Sequence, residues 1–253
     1  MNGEFEIKKE IVACGKRMYE KDLVAATDGN ISVRLSPDRV LITPTGSCLG
    51  DLATADLVVI DLDGKTVGGE GKPTSEFRLH LEVYRRRDDV RAIVHAHPPL
   101  CTAFSVAGVS LENYILPEIA FTIGAIPTTP YSTPTTDEPP RAVAEYISDC
   151  DAMILDRHGA LTVGETLREA YNRMEKLEHT AKVVLAAHSL GRVKTLEPDQ
   201  VDRLLRAREA LGLHGKLYRC VYRPGDAAPT LVDDREGLIG LIASEVIRSL
   251  RSP

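Results

Sequence analysis

The order of short apolar segments and amphipathic stretches along this chain most constrains the fold that it can adopt. Apolar runs or period-two alternation predict β-strands at residues 31–35, 40–42, 57–62, 91–97 and 152–156. Helical spacing and helix-start signals predict helices at residues 5–23, 74–87, from Pro98 onward, 138–150, 165–189 and 200–211. The Pro- and Thr-rich residues 127–140 are predicted to form a loop. Strands and helices mix without a regular βαβ rhythm, so we predict an α/β protein whose mixed sheet is layered between helices.

Composition argues against several functional classes. The 253 residues carry a net charge of −6, with 31 basic and 37 acidic side chains, whereas nucleic-acid binders usually carry a basic surplus. The five cysteines form no Cys-x-x-Cys pair, so we expect no disulfide framework, no thiolate zinc site and a cytoplasmic location. Residues 1–10 are too polar for a signal peptide. The longest apolar stretch, residues 115–127, contains Glu118 and is shorter than the roughly 20 residues of a membrane span, so no membrane partner is expected.

A His-x-His motif is the sharpest chemical signal. His95 and His97 lie two positions apart in a predicted strand, so their side chains project from the same face. Two adjacent imidazoles can bind one divalent metal ion, although two unrelated histidines at a strand end would give the same pattern. His158 follows the predicted strand at 152–156 and precedes Gly159, which places a third imidazole at a strand end. Three histidines with an open fourth position are typical of a catalytic zinc site.

Glu76 is the candidate general acid or base. It lies in the predicted first turn of a helix, after Thr74 and Ser75, where a glutamate can equally be a plain capping residue. A catalytic role requires that this helix start faces the histidines. His80 follows four residues later on the same helix face, and we expect it to pack beside the site without binding the metal. His179 and His188, on the predicted helix at 165–189, are expected to be solvated or half-buried.

Three polar turns are candidates for binding an anion. They are Gly29-Asn30, Thr45-Gly46 and Thr74-Ser75. Each offers free backbone amides or hydroxyls, and the last pair stands at a predicted helix N-terminus, where phosphate binds readily. Each pair alone is ordinary turn chemistry. Around one site they would explain how an acidic protein holds an anionic substrate.

Five motifs occur in register between about residue 5 and residue 212. They are Gly-Asn-Ile-Ser-Val-Arg from Gly29, Ile-Thr-Pro-Thr-Gly from Ile42, Lys-Pro-Thr-Ser-Glu from Lys72, Val-His-Ala-His-Pro from Val94 and Arg-His-Gly-Ala from Arg157. In order and spacing they resemble the class II aldolase/adducin family, most closely its fuculose-phosphate aldolase branch. The resemblance implies a three-layer α/β/α fold with a central mixed, largely antiparallel sheet. It also implies a catalytic domain at residues 1–213 and a C-terminal tail at 214–253, packed on the same domain or on a neighbouring subunit.

The resemblance further implies roles for individual residues. Zinc, or alternatively manganese or cobalt, would be bound by His95, His97 and His158, with Glu76 as acid/base and fourth ligand of the empty site. The remaining residues would hold phosphate: Asn30, Thr45, Gly46 and Ser75, with Gly29 shaping a turn and Thr74 replacing a serine that is usual in the family. Family members are typically homotetramers with active sites at subunit interfaces.

One departure from the family pattern concerns substrate identity. The aldolases carry a tyrosine after the His-x-His motif that helps to protonate the leaving aldehyde, and Leu116 stands near that position here. Tyr114 is a possible substitute, and a second family tyrosine corresponds to Tyr218 or Tyr222.

The predicted function is that of a zinc aldolase, which reversibly cleaves a small phosphorylated sugar, a fuculose 1-phosphate-like ketose, to dihydroxyacetone phosphate and an aldehyde. The same constellation could serve a ribulose 5-phosphate-type 4-epimerase, a methylthioribulose-phosphate dehydratase or an aromatic-acid decarboxylase. From another class, an adducin-like scaffold without enzymatic activity would have no reason to keep three histidines and a glutamate. A Schiff-base aldolase would need a desolvated lysine, and no lysine lies in an apolar strand of this sequence.

Overall fold

The structure is a computed structural model, and it describes residues 3–218. Eight strands form one sheet: β1 (Asn30–Ser36), β2 (Arg39–Ile42), β3 (Val58–Asp61), β4 (Thr66–Gly68), β5 (Ala92–Ala96), β6 (Thr128–Thr129), β7 (Ala152–Leu155) and β8 (Gly159–Gly164). Their spatial order is β4-β3-β2-β1-β5-β8-β7-β6. All neighbours are antiparallel except β6 and β7, which are parallel. The predicted mixed, largely antiparallel sheet is therefore confirmed.

Helices cover both faces of this sheet. They are α1 (Glu4–Glu20), α2 (Phe77–Arg86), α3 (Pro99–Val106), α4 (Pro117–Thr122), α5 (Glu138–Ala144), α6 (Leu167–Ser189) and α7 (Pro198–Ala210). Strand alternation divides the core into two clusters: Val94 packs with α1, α3 and α6, whereas its neighbour Ile93 packs with α2 and α5. This arrangement is the predicted three-layer α/β/α fold. No helix among residues 3–218 is long and apolar enough to cross a membrane.

Several element boundaries differ from the prediction. The helix predicted at 74–87 begins at Phe77, because residues 72–75 are held to the β2 end instead of joining the helix. The helix predicted at 138–150 ends at Ala144, and the predicted loop at 127–140 contains the two-residue strand β6. Strands β4 and β8 and helix α4 were not predicted. Of the predicted C-terminal tail, only residues 214–218 lie in the described part of the chain.

Strand β8 explains why the position of His158 differs from the prediction. The strand is buried along its whole length, and its residues Gly-Ala-Leu-Thr-Val-Gly lack the alternation that marks a half-buried strand. It pairs with β5 on one side and β7 on the other. His158 therefore lies in the tight turn between two antiparallel strands, not in a loop beyond the end of the sheet.

The sheet register places three strand ends together. Asn30, the first residue of β1, pairs with His95 of β5, and Ala96 of β5 pairs with Ala160 at the start of β8. The end of β5 consequently lies between the starts of β1 and β8. Helix α2 begins over this same edge, on the face of the sheet that His95 and Ile93 share.

Candidate metal centre

Four side chains converge at the end of β5. The Nε2 atoms of His95 and His97 lie 3.2 Å apart. Nε2 of His95 is 3.1 Å from Oε2 of Glu76, and Nε2 of His158 is 3.2 Å from Oε1 of Glu76. One donor atom from each of the four residues lies within 4.8 Å of the others. The structure thus brings together all three histidines and the glutamate that the sequence singled out.

Local backbone geometry brings His158 into this cluster. Arg157, in the turn before it, has a left-handed φ of 55°, and its backbone N–H donates to Oγ of Ser105 at the end of α3. The next residue, Gly159, lies directly against β5: a Cβ there would be 2.2 Å from the backbone oxygen of Ala96 and 2.8 Å from the His97 ring. Only glycine permits this approach, and it sets the third imidazole beside the other two.

Hydrogen bonds orient the rings toward a common point. Nδ1 of His95 lies 3.0 Å from the backbone oxygen of Ala160, which can only accept, so Nδ1 carries the proton. In the neutral ring, Nε2 then presents its lone pair to the cluster. Nδ1 of His97 lies 3.6 Å from Oδ2 of Asp28 on the solvent side. A carbonyl or carboxylate behind each of these two rings therefore favours the tautomer in which Nε2 can bind a cation.

Mutual electrostatics set the protonation of the cluster. Burial acts to raise the pKa of Glu76, but the adjacent His95 and His158 imidazoles outweigh burial and lower that pKa well below its usual range. Burial, His95 and His158 together lower the pKa of His97 to about 3. Burial also acts to lower the pKa of His95, but the Glu76 carboxylate outweighs it and raises that pKa. At neutral pH Glu76 is ionised and His97 is neutral, which are the forms that bind metals.

The donor set fits a divalent cation. The Nε2 lone pair of neutral His95 points toward Nε2 of His97, and Oε1 of Glu76 is buried without a hydrogen bond. A cation between them would satisfy all of these atoms at once. Three imidazole nitrogens and one carboxylate oxygen form a tetrahedral set, and a site in which substrate can replace the carboxylate is catalytic rather than structural.

Glu76 occupies the N-cap position of α2, not its first turn as predicted. Its backbone N–H donates to Oγ1 of Thr74 at 3.3 Å, and its side chain makes no capping hydrogen bond. The carboxylate instead turns toward the histidines and accepts from Nδ2 of Asn30 at 2.8 Å. The plain capping role that the sequence left open is therefore excluded by the geometry.

The candidate phosphate-binding residues lie on two adjoining loops. The backbone N–H of Thr45 donates to Lys72, and that of Thr74 donates to Thr43, so residues 43–46 and 72–75 run side by side. The loops carry Thr45 and Gly46, both exposed, and Thr74, buried, and Ser75, exposed. Gly29 shapes the neighbouring turn with a φ of 78°, and a Cβ there would be 2.5 Å from Val24. These residues therefore border the strand end that carries the histidine cluster.

The candidate tyrosines lie elsewhere in the hydrogen-bond pattern. The hydroxyl of Tyr114 donates to the backbone oxygen of Tyr218 at 3.3 Å. Leu116, near the position of the family tyrosine, is the N-cap of α4 and packs against the core. Tyr222 lies outside the described residues.

Three residues near the site were missed from the sequence. Ser105 supports the His158 turn, and Ser32 and Tyr84 extend a buried hydrogen-bond chain from His80. The spacing of Tyr84, four residues after His80, was an available signal because such residues share a helix face. His80 itself is fully buried and is not one of the four converging residues, as expected, whereas His179 is exposed and His188 half-buried.

Comparison with known proteins agrees with this geometry. Residues 9–185 match the family described as Class II Aldolase and Adducin N-terminal domain. The chain is 42% identical over 177 residues to an L-fuculose phosphate aldolase of Methanococcus vannielii, a match that covers 69% of this chain and 93% of the relative. It is 34% identical over 185 residues to a 3-oxo-tetronate 4-phosphate decarboxylase of Escherichia coli K12, covering 72% of this chain and 87% of the relative.

Solved structures give the same result. A structure of L-fuculose 1-phosphate aldolase superposes with a TM-score of 0.75 at 30% sequence identity. The superposition covers 82% of this chain and 97% of the other. The α/β/α layers described above are therefore those of a solved aldolase fold.

Proposed function

We propose, from the premise that this chain belongs to the class II aldolase and adducin family, that it is a zinc-dependent aldolase acting on a phosphorylated ketose. The matched region covers most of the chain, and its relatives include named aldolases and decarboxylases, so the chain is a metal-dependent lyase. The proposed reaction cleaves a fuculose 1-phosphate-like ketose reversibly to dihydroxyacetone phosphate and an aldehyde.

The convergence of Glu76, His95, His97 and His158 carries this proposal. Aldol cleavage breaks the carbon–carbon bond beside a carbonyl, and the electron pair of that bond becomes an enediolate. The three imidazoles would hold the zinc ion, and Lewis-acid stabilisation of the enediolate oxygen is what a divalent cation supplies when bound there. Neutral imidazoles suit this role because they leave the charge of the cation undiminished.

Glu76 is proposed to move the proton. Its carboxylate is ionised at neutral pH and lies beside the imidazoles, within reach of a substrate that replaces it at the cation. In the cleavage direction the enediolate must take up a proton at carbon, and in the synthesis direction the same carbon must lose one. A carboxylate held at the edge of the site can serve both directions.

The substrate phosphate is proposed to bind between the two adjoining loops. Thr45, Gly46 and Ser75 are exposed there, and Thr74 adds a hydroxyl near the start of α2, whose N-terminal amides attract anions. Asn30 donates one N–H to Glu76, and the amide nitrogen carries a second hydrogen that can reach a phosphate oxygen. We also propose a homotetramer with its sites at subunit interfaces and the tail at residues 214–253 packed at those interfaces.

A second candidate activity is decarboxylation of a phosphorylated 3-oxo acid. Loss of CO2 from 3-oxo-tetronate 4-phosphate, the compound in the name of the Escherichia coli relative, leaves the enediolate of dihydroxyacetone phosphate. The same metal site and phosphate loops would serve both reactions. The position of Leu116 in the core favours this candidate, because CO2 departs without exchanging a proton with a tyrosine.

One experiment separates these activities. The purified protein is analysed for bound metal and then incubated with fuculose 1-phosphate, ribulose 1-phosphate or 3-oxo-tetronate 4-phosphate. Dihydroxyacetone phosphate is followed by phosphorus NMR, and aldehyde and CO2 are measured separately. Dihydroxyacetone phosphate with aldehyde identifies an aldolase, dihydroxyacetone phosphate with CO2 a decarboxylase, and an isomeric or dehydrated sugar phosphate an epimerase or dehydratase.

The matched variants are His95→Ala and His179→Ala, because His179 is an exposed histidine on α6. We expect His95→Ala to lose both bound metal and turnover, and His179→Ala to keep both. Full metal content and full turnover in His95→Ala would refute the proposed site.

A further inference from the structure

A buried chain of hydrogen bonds leads from helix α2 to the Glu76 carboxylate. Tyr84 Oη lies 2.8 Å from Ser32 Oγ, which lies 2.7 Å from Nδ1 of His80. Nε2 of His80 lies 2.5 Å from Oδ1 of Asn30, and Nδ2 of Asn30 lies 2.8 Å from Oε2 of Glu76. His80, Tyr84 and Ser32 are at most 2% exposed, and Asn30 is 3% exposed.

The chain exists because two periodicities coincide. His80 and Tyr84 are four residues apart on one face of α2, and Asn30 and Ser32 are two residues apart on one face of β1. The two pairs interdigitate between the helix and the sheet. None of His80, Ser32 or Tyr84 is among the four residues that converge as metal ligands, and the proposed mechanism assigns them no role.

The ionised carboxylate fixes the direction of every bond in this chain. Glu76 can only accept, so Asn30 must turn its Nδ2 toward it and its Oδ1 toward His80. Because Oδ1 can only accept, Nε2 of His80 must carry a proton. A neutral imidazole then has Nδ1 as an acceptor, to which the Ser32 hydroxyl donates. Tyr84 in turn donates to Ser32.

The opposite arrangement is unfavourable at this depth. If His80 carried its proton on Nδ1, Nε2 would attract the Asn30 N–H, and Oδ1 of Asn30 would face the carboxylate. Two buried acceptors would then lie in contact without a hydrogen between them. Burial, and secondarily His95, lower the pKa of His80 to about 3, so a doubly protonated ring does not relieve this conflict at neutral pH.

We propose that His80 is a positioning residue: as the Nε2–H tautomer it sets the orientation of the Asn30 amide, which aims the Glu76 carboxylate at the histidine cluster. The catalytic consequence rests on the proposed function, because it requires that Glu76 moves the proton. The structural part, the tautomer and the amide orientation, does not depend on any activity. The two parts are therefore tested separately.

The structural part is tested by nitrogen-15 NMR of the imidazole rings in the zinc-free protein at pH 7. The His80 signal is assigned by its loss in His80→Gln. We expect a neutral ring with the proton on Nε2 and an unprotonated Nδ1. A proton on Nδ1 alone, or on both nitrogens, would overturn the proposal, whatever the protein does to a sugar phosphate.

The catalytic part is tested by steady-state kinetics with the substrate that the wild-type protein turns over. Gln can replace the donor at the Nε2 position, whereas Leu cannot. We expect His80→Leu to lower kcat about 10- to 100-fold with KM and metal content unchanged, and His80→Gln to recover much of that loss. A loss of kcat that is equal in the two variants would contradict positioning through a donated hydrogen bond.

A double-mutant comparison shows whether His80 acts through Asn30. In the Asn30→Ala background, His80→Leu should cause no further decrease in kcat, because the amide that it orients is already absent. Two losses that multiply would overturn the proposal. If His80→Leu does not fold, the same comparison is made with His80→Gln. If the wild-type protein turns over none of the substrates, the proposed function fails, and the NMR result still decides the tautomer.

Discussion

Substitution of Gly159 by alanine tests whether the tight β7–β8 turn builds the metal site. The new Cβ would lie 2.2 Å from the backbone oxygen of Ala96, more than 1 Å short of ordinary van der Waals contact. The same Cβ would lie 2.8 Å from Cδ2 of the His97 ring. Neither the Ala96 backbone nor a ring beside two other imidazoles can yield without moving β5 relative to β8. His158, adjacent to the substituted residue, must move with the turn.

The expected effect is larger on metal binding than on folding. Overpacking of this kind costs about 1–3 kcal/mol of folding free energy. Metal–ligand distances tolerate shifts of only about 0.2 Å, so displacement of His97 or His158 should weaken zinc binding by about 100-fold or more. Unfolding in urea measures the first quantity for the zinc-free protein. Competition with a chromophoric chelator measures the second.

Gly68→Ala is the matched control. Gly68 is also a strand glycine, but a Cβ there would meet only Val59, at an ordinary distance of 3.5 Å. We expect this variant to match the wild-type protein in stability and zinc affinity. If Gly159→Ala bound zinc as tightly as Gly68→Ala does, the close approach of the turn to β5 would not be what positions the ligands.

Three further predictions concern catalysis, substrate binding and pH. Glu76→Gln should keep three imidazole ligands and measurable zinc, but turnover should fall about 100-fold or more, as loss of a general acid/base typically requires; near wild-type turnover would remove Glu76 from the mechanism. Ser75→Ala should raise KM for the phosphorylated substrate about 10-fold with little change in kcat, because a hydrogen bond to a charged group is lost; Ser189→Ala, an exposed serine at the end of α6, should change neither. His80, buried among Ser32, Asn30 and the α2 side chains, has a pKa of about 3 in the folded protein against 6.5 for an ordinary histidine. The unfolded chain therefore binds the additional proton, and the unfolding free energy of the zinc-free protein should fall as pH drops from about 6.5, by up to about 1.4 kcal/mol per pH unit more than in His80→Gln. Urea unfolding at pH 7 and pH 5 measures this difference, and equal slopes in the two proteins would contradict a neutral, buried His80.

The sequence by itself determined the features that depend on local periodicity. Alternation along a strand is enough to place His95 and His97 on one face, and helical spacing is enough to locate α1, α6 and α7 within a few residues. The motifs, read in order, also gave the family and hence the mixed, largely antiparallel sheet. Strand β8 escaped because a strand buried on both faces, with a glycine at each end, has no alternation to read.

The tertiary structure decided which of these residues meet and how they face each other. Asn30 lies opposite His95, and His158 lies beside His97, only because β1 and β8 pair with the two sides of β5. The capping and catalytic interpretations of Glu76 are identical in sequence, and only the direction of its side chain separates them. The tautomer of His80 follows from a hydrogen-bond chain that spans a helix and a strand. Contacts between residues distant in the chain are set by the packing of whole elements, and no local pattern encodes them.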